Sequence, residues 1–285
     1  MKIKDLIGYA SELENLKRKE ILLPKSFDNK FCGFEIDASV TENTKSKMQD
    51  EYKEILISER SISKGIGVEI STHPFLINEK SISNLKELSN SLKKYKAIFD
   101  EASFQINLDT IYKNDSELKN FLLFLAAYDD ILFYFYMGND SDLRKSFFKY
   151  SNTIGYFAKE YIDKYMTKEE FISSIRSKNL ELALKNNNKI LEFRGPNSTF
   201  EFDLWINYLI TFSYMMDYVK NNELNINTIT KYLDKFDLFK ISSVNYNLDK
   251  ATEFVNMIFK NDEDKIYFFK QYLEKEKVKR IIYQK

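Results

Sequence analysis

The chain has one cysteine, one histidine, seven glycines and three prolines in 285 residues, and each scarcity removes a class of explanation. Cys32 cannot form an internal disulfide, and with His73 as the only imidazole there is no Cys/His cluster of zinc spacing. A glycine-rich phosphate loop of the G-x-x-x-x-G-K-(S/T) type is also missing. Neither sign of charge is in excess. Lys plus Arg and Asp plus Glu both total 43, so no global field selects nucleic acid, an anionic membrane or an acidic partner. A nucleic-acid role would rest on short basic runs such as KVKRIIYQK alone. The longest apolar stretch, Phe121 to Met137, is interrupted by Asp129 and Asp130 and falls short of a membrane span. The first twenty residues lack the apolar centre of a signal peptide. The expectation is a cytoplasmic protein with no membrane partner, long enough to bury a core without disulfides or structural metal.

What is present divides by periodicity. Residues 4–19 have helical spacing and end at Leu22-Leu23-Pro24. Strand-like alternation follows at 31–39, at 52–58 and at 65–72, the last two joined by a turn at ERSISK. Helical spacing returns at 83–99, a strand is expected at 102–109, and one long apolar helix at 115–137, capped by Asp115 or Ser116. Thr167 followed by Glu170 forms a capping-box pattern that opens a helix to about Arg176. Strands at 179–184 and 189–194 flank the polar run KNNN, and helices are expected at 200–219, 226–235, 248–259 and 262–275. Without linkers or repeats, this order indicates an α+β fold: a domain over residues 1–219 with a helical C-terminal extension over 220–285 packed on it.

Residues two apart on a strand share a face. That pairs Glu35 with Asp37, Gln105 with Asn107, and Glu192 with Arg194, and sets Glu69 opposite Val68 and Ile70. Each of these strands thus has one apolar face and one bearing acid, amide or guanidinium groups. A solvated antiparallel sheet face gives the same alternation. The residue types argue for more, because Asp and Glu are depleted in strands, and carboxylates that share a face raise one another's pKa unless neutralised, commonly by Mg²⁺ with phosphate oxygens.

The segments CGFEID (32–37), ILISERSISKGIGVEISTHPF (55–75), ASFQINLD (102–109) and LEFRGPNSTFEFDLWINYLITF (191–212) carry, in this order, a resemblance to the amidoligase family. That family is similar to the catalytic domain of glutamine synthetase and to the gamma-glutamyl-cysteine ligases. The resemblance covers most of residues 31–219 and not the helical extension. It implies a curved, mainly antiparallel sheet flanked by helices and an ATP- and Mg²⁺-dependent, amide-forming carboxylate–amine ligase that works through an acyl phosphate. The substrates would be small-molecule or peptide carboxylates and amines. Glu35, Asp37, Glu69 and Glu192 would be catalytic and metal-binding, and Arg194 would contact phosphate or the developing acyl phosphate. The family's H-x-H strand reads Gln105-Ile106-Asn107 here, so cofactor contacts on that strand fall to two amides, with Arg144 as a further phosphate candidate. An amide supplies an oxygen ligand but cannot titrate near neutral pH. The alternative is therefore a non-catalytic, amidoligase-like interaction protein. His73, in a loop beside Pro74, reads as an ordinary surface residue.

Overall fold

In a computed structural model, residues 18, 20–52, 56–60, 66–138, 144, 147–176, 179–234 and 247–283 are described. The elements run β1 (Phe31–Val40), α1 (Glu42–Glu51), β2 (Leu56–Arg60), β3 (Ile66–Ser71), β4 (Phe75–Leu76), α2 (Glu79–Leu92) and β5 (Phe104–Asp109). They continue with α3 (Asp115–Ala127), α4 (Asp129–Tyr136), α5 (Phe147–Tyr150), α6 (Gly155–Ile162) and α7 (Lys168–Ser174). After β6 (Leu182–Lys185) and β7 (Ile190–Phe193) come α8 (Phe202–Asn221), α9 (Ile226–Asp234), α10 (Leu248–Ile258) and α11 (Asp262–Tyr283). The fold is mixed α+β.

The strands form one sheet in the order β2-β3-β1-β5-β7-β6, with β4 paired to the start of β1, and every pairing between these strands is antiparallel. The alternation expected from sequence sets the apolar face: Phe34, Ile36, Val68, Ile70, Phe104, Ile106, Leu191 and Phe193 are all fully buried. α8 packs across that face. Trp205 stacks on Phe104 at 5.9 Å, and Phe212 stacks on Phe193 at 4.1 Å. Each such aromatic contributes about 1.5–3 kcal/mol by burial. The indole N–H of Trp205 donates to the Thr199 carbonyl at 2.8 Å, which removes the polar cost of burying that ring.

The C-terminal helices continue the same core. α9 packs on α3 and α6, α10 and α11 pack on α8, and α11 also touches α4. Polar contacts fix the register of α11: Asn207 donates to the Tyr267 carbonyl and to Gln271 Oε1, while Gln271 donates to the Phe135 carbonyl at 2.7 Å.

Several elements depart from expectation. The single helix expected over 115–137 is two helices broken at Tyr128, and its cap is Asn114, which accepts from the backbone N–H groups of Ser116 and Glu117. The break turns Asp129 toward Thr153 and lets Asp130 reach Lys250 at 2.6 Å, so neither acid is left in an apolar stripe. α1 was not anticipated; its sequence is almost wholly polar, and it is set by Thr41, which accepts from Thr44 N–H, and by the buried Met48. α5 and α6 were also unanticipated. α2 begins earlier than expected because Asn78 caps it, and it ends earlier, ahead of Ile98, which bridges Ser39 of β1. Glu59 and Arg60 belong to β2 rather than to a turn, and residues 61–65 lie outside the described set. The helix expected at 4–19 falls almost wholly outside the described residues. The capping box is present as read, with Thr167 and Glu170 bonded reciprocally. The β6–β7 turn holds Asn186, Asn187 and Asn188 at φ of 48°, 54° and 66°, a left-handed region in which asparagine is the best tolerated residue after glycine.

Candidate functional site

The second face of the sheet carries the polar side chains in a definite order. Across β1 and β3, Asp37 is directly opposite Glu69 and Glu35 is opposite Ser71. Across β1 and β5, Glu35 is opposite Gln105; across β5 and β7, Asn107 is opposite Glu192. Beyond that, Glu192 faces Ala183 of β6. Carboxylates thus occupy β3 and β1, amides occupy β5, and β7 carries Glu192, with Arg194 just beyond its end.

Screening from solvent distinguishes this face from a simple wetted one. Asp37, Gln105 and Glu192 are each 4% exposed and Arg194 is 9% exposed, whereas a solvated sheet face leaves such side chains open. Glu35, Glu69 and Asn107 are half-buried. Hydrogen bonds link the groups laterally. Asn107 Nδ2 donates to Glu35 Oε1 at 2.8 Å, and Ser71 Oγ donates to Glu69 Oε1 at 3.3 Å. The Ser103 hydroxyl donates to Asp37 Oδ2, and Gln105 Nε2 donates to that hydroxyl at 3.4 Å. At the far side, Arg194 Nε pairs with Glu192 Oε1, and Lys185 Nζ lies 3.0 Å from Glu192 Oε2.

Arg194 follows β7 at a local irregularity. Ile106 is opposite Phe193, yet Ser103 bridges Asn197. Three steps along β5 therefore match four along the partner, so the Arg194-Gly195-Pro196 segment carries one extra residue, a β-bulge. Gly195 is required there by close approach, because a Cβ at this position would lie 2.1 Å from the Tyr136 ring. The bulge is held on both sides. Arg194 N–H donates to the Glu181 carbonyl at 2.6 Å, Phe104 N–H donates to the Pro196 carbonyl at 3.0 Å, and Asn197 N–H donates to the Tyr136 carbonyl at 2.9 Å.

Of the residues expected at a site, Glu35, Asp37, Glu69, Gln105, Asn107, Glu192 and Arg194 come to this one face. Arg144 does not. It is buried behind the bulge, and its guanidinium donates to the carbonyls of Gly195 (2.7 Å), Arg194 (2.8 Å) and Pro196 (3.1 Å) and to Ser151 Oγ. Those donors are committed to backbone, so the assignment of Arg144 as a phosphate contact is replaced by a structural one. Glu192 is likewise ill-suited as a metal ligand, because Arg194 and Lys185 hold its two oxygens. Among the described residues no group of three or more His, Cys, Asp or Glu side chains is placed to hold a metal ion. His73 is exposed. Sequence reasoning missed Ser103, Ser71 and Lys185; the parity of β6 could have found Lys185, since it shares a face with Ala183.

A second polar cluster lies on the helical side. Asp129 and Glu181 are buried against each other, with the Thr153 hydroxyl donating to Asp129 Oδ2 and Ile154 N–H donating to Glu181 Oε1 at 3.3 Å. Burial raises the Asp129 carboxyl to about 7. Burial and the neighbouring Asp129 charge raise Glu181 well above the usual carboxylate range.

No family model matches the chain, and no curated protein matches it in sequence. Among the described residues no helix is long and apolar enough to cross a membrane.

Proposed function

We propose that the chain is an ATP- and Mg²⁺-dependent carboxylate–amine ligase of amidoligase type, built on a glutamine synthetase-like sheet and using the polar face as its site. The observation that supports the reading is the convergence of seven side chains, named from four separate sequence segments, onto one partly screened face in neighbouring register. Scattered acids would have removed it.

Mg²⁺ in nucleotide sites is commonly held by one or two carboxylates together with phosphate oxygens. Asp37 and Glu69, directly opposite each other across β1 and β3, would be the two carboxylates of such a set, while Glu35 is bonded by Asn107. When bound, Mg²⁺ would neutralise phosphate charge. The protein's own groups would do the rest. The Arg194 guanidinium, oriented by Glu192, would stabilise negative charge on the transferred group. The Gln105 and Asn107 amides would position polar atoms of the ligand without moving protons. In the overall reaction a substrate carboxylate oxygen takes the γ-phosphoryl group and ADP leaves. The amine nitrogen then attacks the acyl carbon, loses a proton, and phosphate departs.

The second reading, a non-catalytic interaction protein, draws on one specific contact. Asn107 donates to Glu35 within the face, where an imidazole would have been able to exchange a proton. Incubation with ATP, Mg²⁺ and mixed amino acids or peptides separates the two. The ligase reading expects phosphate release that Glu192→Gln or Arg194→Ala abolishes. Absence of nucleotide binding at millimolar ATP overturns it and leaves the interaction reading.

A further inference from the structure

We infer that Arg144 is a positioning residue that acts through Arg194: it sets the bulge from which the Arg194 guanidinium is presented to the polar face. Three successive carbonyls, those of Arg194, Gly195 and Pro196, converge on one buried guanidinium at 2.7–3.1 Å. Successive carbonyls of a regular strand point to alternate sides, so this convergence exists only because the bulge breaks the alternation. The Ser151 hydroxyl donates to the Arg194 carbonyl at 2.9 Å and accepts from Arg144, closing the ring of contacts. Arg144 N–H donates to Asn197 Oδ1 at 3.0 Å, which anchors the far end of the bulge to the same residue. The Arg144 guanidinium also lies 5.2 Å from the centre of the Phe147 ring.

A planar fork with five donors in fixed directions suits this task, whereas an ammonium is a compact point charge on a flexible stem. Lysine in this place keeps the charge and loses the simultaneous hold on Arg194, Gly195 and Pro196. The Arg194 side chain then loses its fixed origin, and its Nε–Glu192 contact, one of the few on the face that joins opposite charges, weakens. The positioning stands on the geometry alone. Its consequence for ligand binding rests on the ligase reading.

The test follows the Nε–Hε resonance of Arg194 in ¹⁵N-labelled protein, assigned by its disappearance in Arg194→Lys. In the wild type this proton is expected to exchange slowly with solvent, because it is buried against Glu192. In Arg144→Lys, with secondary structure by circular dichroism unchanged, exchange is expected to accelerate at least tenfold and the resonance to shift. Ser151→Ala, which removes one member of the ring, gives a smaller change in the same direction and serves if Arg144→Lys does not fold. Unchanged Arg194 exchange in a folded variant overturns the inference. A nucleotide titration then reads the consequence: Arg144→Lys weakens binding at least tenfold, and the Arg144→Lys/Arg194→Ala double variant binds no more weakly than Arg194→Ala. Additive losses overturn action through Arg194. If the wild type binds no nucleotide, the ligase reading falls while the exchange measurement still decides the positioning.

Discussion

The buried Asp129–Glu181 pair makes stability depend on pH in a direction opposite to that of most salt-bridged carboxylates. Burial lifts Asp129 from 3.8 to about 7, so between those values the native state holds a proton that the unfolded chain has released. Stability from this group is therefore fully present below about pH 4 and is lost as pH rises through about 7. A shift of about three units at about 1.36 kcal/mol each gives a loss on the order of 4 kcal/mol across that window. Set against a total of roughly 5–15 kcal/mol for a domain, that is a large fraction. The groups that face the pair are Thr153 from the loop before α6, Asp130 and Tyr136 from α4, Lys250 from α10 and the Ile154 N–H. Lys250 favours the ionised form of Asp129, but burial outweighs it.

Asp129→Asn fixes the neutral form. Its amide oxygen accepts from Thr153 as the carboxyl does, and the side chain keeps its shape. Urea unfolding from about pH 4 to pH 8 should show wild-type stability falling with pH, while the variant falls less. The two should be nearly equal at the acidic end and separate by several kcal/mol at the alkaline end. Infrared difference spectroscopy should find a buried, protonated carboxyl stretch in the wild type that the substitution removes. Parallel stability curves would refute the reasoning, because they would mean that Asp129 titrates alike in the folded and unfolded chain.

Three further outcomes are expected. Gly195→Ala drives a methyl group into the Tyr136 ring and should lower stability by about 2 kcal/mol or more, read from the denaturation midpoint. Glu192→Gln leaves the Arg194 charge in a screened site without its anion and should cost about 3 kcal/mol, whereas Lys185→Met, at a more exposed position, should cost under about 1 kcal/mol; equal costs would contradict the burial difference. Thr167→Ala removes one half of the capping box and should cost about 1 kcal/mol, with the loss confined to α7 in amide exchange.

Strand alternation made the sheet legible, because period-two patterning needs only neighbours along the chain to be read. The apolar residues of β1, β3, β5 and β7 fall on one buried face as their spacing required. The helices were less legible where tertiary contacts override composition. α1 has almost no apolar stripe and forms because Thr41 caps it and Met48 finds the core. The apolar run through Tyr128 had no local reason to stop, and the break follows from what the two acids touch: Thr153, 24 positions on, for Asp129, and Lys250, 120 positions on, for Asp130.

The site shows the same division more sharply. Parity placed Glu192 and Arg194 on one face, but parity holds only while the ladder is regular, and the ladder ends at Phe193. Past that point the extra residue in the Arg194-Gly195-Pro196 segment cancels the rule, and what keeps the two side chains together is the direct contact of Arg194 Nε with Glu192 Oε1. A bulge leaves no periodic signal, since one inserted residue looks like any other strand end. Its sequence trace is the Gly-Pro pair, which forbids a side chain against Tyr136 and removes a backbone donor at Pro196. Arg144 was misread for the same reason. Its role depends on carbonyls some fifty residues further along the chain, and an arginine that binds carbonyls is indistinguishable in sequence from one that binds phosphate, because both tasks use the same donors.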